Sequence, residues 1–251
     1  MIRSTPTRNC SSVRCFTHDR ANVADGGTGQ VVHLALARGG RLPVLHGIDL
    51  ELHAGECVAL CGPSGAGKST LLRSLYGNYR AEAGQILVRH AGSDVDLAAV
   101  DPRTVLEVRQ DTLGYVSQFL RVIPRVAALD VAAEPLTARG VALDQAREQA
   151  RVLLGRLKIP RHLHVLPPAT SSGGEQQRIN LARGFIAGHA VLLLDEPTAS
   201  LDTVNRGGVI TLIREAKGRG VAILAIVHDD DVRRAIADRS FPMRPLPNGA
   251  A

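Results

Sequence analysis

The nine residues at 62–70 carry the strongest chemical signal in the sequence, because they read GPSGAGKST. They match the pattern Gly-x4-Gly-Lys-Ser, between a short apolar run typical of a buried strand and a run typical of a helix. At such a turn the backbone N–H groups and the helix dipole favour negative charge, so phosphate groups can lie against the loop. We expect Lys68 to reach the β- and γ-phosphates of a nucleotide and the Ser69 hydroxyl to ligate Mg²⁺. The predicted nucleotide-binding residues of this loop are Gly62, Pro63, Ser64, Gly65, Ala66, Gly67, Lys68, Ser69 and Thr70.

Two carboxylates, Asp195 and Glu196, follow a second apolar run, which reads LLL at 192–194. A strand that ends beside a phosphate loop can place a carboxylate on the metal ion, and we assign this role to Asp195. Glu196 points the other way along the strand and can polarise an attacking water as a general base. The pair therefore predicts hydrolysis of the bound nucleotide.

Four further segments arrive in an order that carries a family resemblance. Residues 171–178 read SSGGEQQR, GYVSQF at 114–119 contains Gln118, SLD at 200–202 follows the carboxylates, and His228 follows the apolar run at 221–227. A Ser-Gly-Gly helix start is a second anion-binding helix N-terminus. With the loop at 62–70, these segments resemble the signature motif, Q-loop, D-loop and switch histidine of ATP-binding-cassette (ABC) ATPases.

The resemblance implies a composite site between two ABC ATPase domains arranged head to tail, either two copies of this chain or this chain with a related one. One domain would supply the catalytic residues Glu196, His228 and Gln118. It would also supply the magnesium ligands Ser69, Gln118 and Asp195. The other domain would complete the ATP site with Ser172, Gly173 and Gly174. The cofactors implied are ATP and Mg²⁺.

Apolar runs of strand length alternate with stretches of helical spacing, which predicts a mostly parallel sheet covered by helices. The resemblance makes this an α/β P-loop NTPase fold of the ABC nucleotide-binding-domain type. It implies a small antiparallel β subdomain and an α-helical subdomain at about 119–175. We expect a single ABC ATPase domain at 31–243, an atypical and loosely ordered N-terminal segment at 1–30, and a frayed tail at 244–251.

Composition narrows the choice of partners and compartment. The net charge of +6 comes from Arg residues that are scattered along the chain, and aromatic residues make up only 3%, so we expect no nucleic-acid partner. No apolar run approaches the roughly 18 residues of a membrane span. The N-terminal residues lack the apolar core of a secretory signal. We therefore expect a cytoplasmic protein with no direct membrane span.

Longer stretches resemble one ABC subfamily more specifically. They read RLPVL at 41–45, LLRSLYGNY at 71–79, GYVSQFLRVIPRVAALDV at 114–131 and SSGGEQQRINLARGFI at 171–186. These stretches look like the second ATP-binding subunit of the bacterial phosphonate carbon–phosphorus lyase system. That resemblance implies phosphonate catabolism with soluble carbon–phosphorus lyase subunits as partners. The chain would support formation of α-D-ribose 1-methylphosphonate 5-triphosphate, with the transfer chemistry on another subunit.

The alternative is the ATP-binding motor subunit of an ABC exporter of the lipoprotein or macrolide type. Such exporters share a Q-loop in which Gln-Phe is followed by a Leu/Ile-Pro pair, as at Ile123-Pro124. In either case the segment at 119–136 would face the partner. The sequence departs from the family where an aromatic residue usually stacks on adenine, because that region holds Val31, Val32 and His33.

Overall fold

Strands and helices alternate along the chain in the computed structural model, which describes residues 32–34, 45, 47–81, 84–120 and 124–245. The strands are β1 (Val32–Leu34), β2 (Leu50–Leu52), β3 (Cys57–Cys61), β4 (Ile86–His90), β5 (Ser93–Asp96), β6 (Leu113–Val116), β7 (Val191–Asp195), β8 (Ala222–Ile226) and β9 (Arg239–Pro242). The helices are α1 (Lys68–Leu75), α2 (Pro102–Asp111), α3 (Ala128–Thr137), α4 (Leu143–Arg156), α5 (Gly173–Ile186), α6 (Thr203–Gly218) and α7 (Asp230–Ile236). Two short 3-10 helices, Arg161–Leu163 and Pro168–Thr170, lie between α4 and α5.

In these ranges the strands form two sheets. A five-stranded parallel sheet has the order β6-β7-β8-β3-β9, and a four-stranded antiparallel sheet has the order β2-β1-β4-β5. Parallel strands need crossovers, and helices supply them here. The expected α/β P-loop NTPase fold, with a mostly parallel sheet, a small antiparallel sheet and helical elements, is confirmed.

The parallel sheet brings four chemically important segments to one edge. Parallel strands have their carboxyl ends on the same side, which is where open α/β sheets bind ligands. The loop at 62–67 follows β3, and Gln118 follows β6. Glu196 and His228 follow β7 and β8. Because β6, β7, β8 and β3 are consecutive neighbours, these segments lie side by side.

The central strands are apolar on both faces because both faces are covered. Leu192 and Leu194 of β7 pack into a core with residues of α3 to α7, whereas Val191 and Leu193 pack into a second core with α1 and the antiparallel sheet. Helix α5 approaches the sheet most closely at Gly184, where a Cβ would lie 2.2 Å from Cγ2 of Val116. A glycine is therefore needed for α5 to lie this close to β6.

The domain boundaries stay predictions. Helices α3 and α4 lie inside the range 119–175 that was expected to form a helical subdomain. The segment at 1–30 lies outside the described residues, and so does the tail beyond residue 245. Among the helices in the described ranges, none combines the length and apolar composition that crossing a membrane requires.

Candidate functional site

The loop at 62–67 closes over its own lysine. Lys68, the first residue of α1, is buried, and its Nζ donates to the carbonyl oxygens of Gly62 at 2.8 Å and Pro63 at 2.9 Å. Gly62 has φ +141°, and a Cβ there would lie 2.3 Å from the carbonyl oxygen of Met243. Gly67 precedes α1 with no side-chain cap on the first N–H groups, so those donors can meet an anion. The loop therefore has the form of a phosphate cradle. Phosphate oxygens can replace the two carbonyl oxygens as acceptors for Nζ of Lys68.

The other predicted residues of the loop follow the same turn into the helix. Ser64 and Gly65 are exposed, Ala66 is buried, and Ser69 and Thr70 belong to the first turn of α1. The structure therefore places all nine residues of 62–70 in one continuous cradle, which fits the phosphates of a nucleotide.

Ser69 and Asp195 meet where α1 begins and β7 ends. The Ser69 hydroxyl donates to Oδ1 of Asp195 at 3.1 Å, and the Tyr115 hydroxyl donates to Oδ2 at 3.1 Å. Asp195 is only 1% exposed. Burial raises the pKa of its carboxyl, and the bonds from Ser69 and Tyr115 oppose that shift. A hydroxyl and a carboxylate are the hard oxygen ligands that Mg²⁺ prefers, so the Ser69–Asp195 pair fits that ion.

Glu196 is held on both carboxylate oxygens by predicted catalytic residues. Nε2 of Gln118 donates to Oε2 at 3.0 Å, and Nε2 of His228 lies 3.0 Å from Oε1. An ionised carboxylate only accepts hydrogen bonds, so the second contact requires the histidine tautomer with its proton on Nε2. The backbone of Glu196 is in the left-handed region at φ +52°, which turns the chain sharply as β7 ends. Gln118, Glu196 and His228 are thus brought together.

Gln118 was also expected to ligate Mg²⁺. In this structure its amide faces Glu196 instead of the Ser69–Asp195 pair. The metal role of Gln118 therefore stays a prediction.

The segment at 172–174 lies at the N-terminus of α5 and bonds within its own helix. The backbone N–H and the hydroxyl of Ser172 both donate to Oε2 of Glu175 at 2.8 Å, and the N–H of Glu175 donates back to Oγ of Ser172. The hydrogen bonds from the Ser172 backbone and then its side chain lower the pKa of Glu175. A Cβ on Gly174 would lie 2.9 Å from the carbonyl oxygen of Ser200. Gly174 therefore packs beside the loop at 200–202, and Glu175 engages the two donors of Ser172.

Sequence reasoning missed two residues of the site. Burial first and the neighbouring Asp195 second raise the pKa of Tyr115 to about 12, so its hydroxyl keeps its proton and can donate to that carboxylate. Arg206 on α6 donates from Nε to the carbonyl oxygen of Leu201 at 2.8 Å and from Nη1 to Oδ2 of Asp229 at 2.5 Å. It links the loop after Glu196 to the loop after β8. For Tyr115, the one available signal was its position three residues before Gln118.

The segment at 31–33 is where the family usually places the residue that stacks on adenine. The side chain of His33 lies outside what the structure describes.

Known proteins are similar to this chain in sequence and in architecture. The family model described as ABC transporter matches residues 45–199. The lipoprotein-releasing system ATP-binding protein LolD of Paramagnetospirillum magneticum is 41% identical over 192 residues, covering 76% of this chain and 83% of that protein. The macrolide export ATP-binding/permease protein MacB of Nitrosomonas europaea is 39% identical over 189 residues, covering 75% of this chain and 28% of that protein.

Solved structures agree with these relatives. The dimeric structure of a bacterial ABC transporter cassette superposes with a TM-score of 0.74 at 25% identity, covering 80% of this chain and 87% of that one. A dimeric post-hydrolysis state of an ATP-binding cassette bound to ADP and Pi also gives a TM-score of 0.74 at 25% identity, covering 83% and 90%.

The relatives favour the exporter alternative over the expected phosphonate lyase subunit, because LolD and MacB are named for lipoprotein release and macrolide export. The association with carbon–phosphorus lyase subunits is not supported by them. The family model covers more than half of the chain, and both of these relatives are more than 30% identical over about three quarters of it. The chain therefore belongs to the ABC transporter family, as a subunit that binds ATP with Mg²⁺ and hydrolyses it.

Proposed function

We propose that this chain is the ATP-hydrolysing motor subunit of an exporter of the lipoprotein-releasing or macrolide type, located on the cytoplasmic side of the membrane. The curated relatives support the exporter class, and the Gln-Phe pair at 118–119 with Ile123-Pro124 supports the same reading. This chain would supply the nucleotide chemistry, and a membrane permease would carry out transport.

The observation that carries the proposal is the position of Phe119. Its side chain is 73% exposed, although it is a large aromatic residue. It directly follows Gln118, whose amide holds the carboxylate of Glu196. Exposed aromatic residues mark protein-binding sites, so a partner that grips Phe119 would act on the residue next to the catalytic base.

A second pair of exposed apolar side chains lies near the start of α3. Val165 is 71% exposed and Leu166 is 40% exposed. The Leu166 carbonyl oxygen accepts from the N–H of Ala128 at 2.9 Å, which places this pair against the start of α3. The predicted partner-facing segment at 119–136 includes that start. A permease loop with an apolar face would suit both patches.

The residues of the phosphate edge take separate roles in hydrolysis. Lys68 and the N–H groups of 62–70 hold the phosphates, and Ser69, Asp195 and Gln118 are the proposed magnesium ligands. When bound, the ion neutralises charge on the phosphate oxygens. Glu196 accepts the proton of the attacking water while the bond between the γ-phosphorus and the ADP oxygen breaks.

The contacts of Glu196 fix its orientation for that step. Gln118 and His228 each engage one carboxylate oxygen, and each oxygen keeps a second lone pair that can accept a proton from water. We propose that these two contacts orient Glu196 toward the attacking water.

A second copy of an ABC domain would complete the site. Ser172, Gly173 and Gly174 lie at the N-terminus of α5, where the two donors of Ser172 bond to Glu175 of the same helix. The two solved cassettes that superpose on this chain are dimeric. We propose a head-to-tail dimer in which these residues face the γ-phosphate of the other domain.

The phosphonate carbon–phosphorus lyase system is the second candidate. The stretches at 114–131 and 171–186 favour it, because they resemble the second ATP-binding subunit of that system. The first stretch runs from β6 through Phe119 into α3, so the resemblance falls on the surface expected to meet the partner. In this case the partners would be soluble lyase subunits and not a permease.

A capture experiment separates the two candidates. We would express tagged Glu196→Gln protein in its source cells, solubilise the membranes in mild detergent, and isolate complexes in ATP and Mg²⁺. Binding should survive this substitution while turnover stops, so complexes accumulate. Detection of a polytopic permease by mass spectrometry would support the exporter. Detection of carbon–phosphorus lyase subunits would support the second candidate.

The matched control is the same protein with Phe119→Ser added. If Phe119 is a partner contact, the added substitution should remove the captured partner and leave ATP affinity within about twofold. Capture that is unchanged by Phe119→Ser would contradict the proposed surface.

A further inference from the structure

Asp195 has a second hydroxyl partner that no nucleotide motif contains. Ser69 donates to its Oδ1, which is the contact that the two motifs predict. The opposite oxygen, Oδ2, accepts from the Tyr115 hydroxyl at 3.1 Å. Asp195 is 1% exposed, so these two donors replace most of the water that the carboxylate would otherwise bind.

The strand register explains how Tyr115 reaches Asp195. In the parallel pair of β6 and β7, Tyr115 lies opposite Leu193. Residues two apart on a strand share a face, so Leu193 and Asp195 point to the same side as Tyr115. Helix α1 covers that side and brings Ser69 to the same carboxylate.

The Tyr115 side chain is held from three directions. Its ring centroid lies 5.2 Å from that of Tyr76, with the planes tilted by 35°. The Arg109 guanidinium lies over the Tyr76 ring at 4.5 Å and donates from Nε to the Tyr76 carbonyl oxygen. The charge of Arg73, one helical turn after Ser69 on α1, lies beside the Tyr115 hydroxyl. The hydroxyl therefore has a fixed acceptor in Asp195 and a cation beside it.

We propose that Tyr115 is a positioning residue for magnesium. Its hydroxyl fixes the plane of the Asp195 carboxylate so that Oδ1 faces Ser69 and the metal. This inference rests on the proposed role of Asp195 as a magnesium ligand.

The consequence is specific to the metal. A carboxylate with one free oxygen can turn about its terminal bond, and a partial turn moves Oδ1 away from Ser69. Partners of a metal ligand typically contribute a factor of ten or more to metal affinity. Nucleotide binding without metal uses Lys68 and the loop, and it does not depend on Tyr115.

The test measures binding and not turnover. In the Glu196→Gln background, ATP affinity is measured by titration calorimetry with Mg²⁺ and again with EDTA, and the ratio gives the affinity gained from the metal. Tyr115→Phe should lower this gain about tenfold and leave the EDTA affinity unchanged. Phenylalanine keeps the ring contact with Tyr76, and a thermal melt checks that the fold is intact.

Two further variants make the result decisive. Tyr79→Phe is the matched control, because Tyr79 also lies beside Arg73 but is 47% exposed, and this variant should keep the full gain. Asp195→Asn should abolish the gain. A full or larger gain in Tyr115→Phe, with Asp195→Asn defective, overturns the role of Tyr115 alone. A full gain in Asp195→Asn overturns both that role and the proposed role of Asp195.

Discussion

At the carboxyl edge of the parallel sheet, Ser69, Gln118 and the pair Asp195-Glu196 converge from separate segments, and the contacts of this pair cross large distances in sequence. At the N-terminus of α5, Ser172 and Glu175 bond mainly to each other. Both regions are built to bind anions, because both combine glycines with the start of a helix. Only the sheet edge is assembled from within one chain.

The difference indicates what each region lacks. The sheet edge has a cation, hard oxygen donors and the proposed general base, a combination that suits a bound nucleotide. The α5 terminus has backbone donors but no side-chain cation in its first turn, and the carboxylate of Glu175 already takes both donors of Ser172. It can meet phosphate only when the phosphate brings its own counter-charges, as a nucleotide held by another domain does.

The largest effect should come from Lys68→Ala. Its Nζ is held by two carbonyl oxygens and is the main side-chain cation of the cradle, so its removal should weaken ATP binding about 1,000-fold. Titration calorimetry measures the affinity, and Lys158→Ala on the exposed surface is the control. Affinity within tenfold of the parent protein would show that the sheet edge does not bind phosphate through Lys68.

Ser172→Arg tests the other region. Arginine at the start of α5 should block the approach of a second domain and weaken ATP-driven association about 100-fold in the Glu196→Gln background. Binding of ATP to the single chain should stay within about threefold, because Ser172 contacts Glu175 and not the cradle. Analytical ultracentrifugation with and without ATP gives the association. Dimers that form normally would refute the head-to-tail arrangement.

Local patterns accounted for the parts of both regions that depend on a few consecutive residues. The turn at 62–70, the strand before Asp195 and the helix after Ser172 each follow from spacing within one short window. The bond between Tyr115 and Asp195 joins residues 80 positions apart, and it depends on the pairing of β6 with β7. No short window contains that register.

Side-chain conformations could not be predicted from the sequence either. Gln118 was found in its motif, but spacing gave no means to tell whether its amide faces the metal pair or Glu196. Arg206 shows the same limit, because its two acceptors lie on loops that only the tertiary fold brings together. The phosphonate resemblance rested on longer stretches around the motifs, whereas the family relationship rested on the motifs themselves, and the comparisons support the second more strongly.

The short segment that connects α5 to β7 contains a buried histidine. His189 lies between the end of α5 and the start of β7, and its Nε2 contacts the Gln110 carbonyl oxygen at 3.2 Å. Nδ1 has no hydrogen-bond partner among the described residues. Burial first, and the Arg139 charge second, lower the pKa of His189 to about 4.

This depressed pKa predicts acid sensitivity. Between about pH 6.5 and 4 the unfolded chain binds the proton and the folded chain does not, so stability is present above that window and is lost as the pH falls through it. We expect a loss of the order of 2 kcal/mol, allowing for relaxation of the site. Urea unfolding from pH 7.5 to 4.5 measures it. His189→Gln should flatten the profile relative to the parent protein and to the exposed-site control His162→Gln; equal profiles would exclude His189 as the cause.

The smallest effect should come from Glu175→Gln, and it sharpens the comparison most directly. The carboxylate takes the N–H and hydroxyl of Ser172, which are the donors that a phosphate from a second domain would need. It also places negative charge where that phosphate would lie. Removing the charge should strengthen ATP-driven association about two- to fivefold, although the helix loses some of its favourable dipole interaction.

Ultracentrifugation at low and high salt tests this expectation, with Glu107→Gln on the exposed face of α2 as the matched charge control. Electrostatic competition predicts that the gain shrinks as salt rises, because screening removes the repulsion that the substitution relieves. A weaker dimer at all salt concentrations would mean that Glu175 prepares Ser172 for the phosphate by holding its hydroxyl in place. The capping box would then belong to the assembled site, and the α5 terminus would be preorganised for its partner in the way that the sheet edge is preorganised for nucleotide.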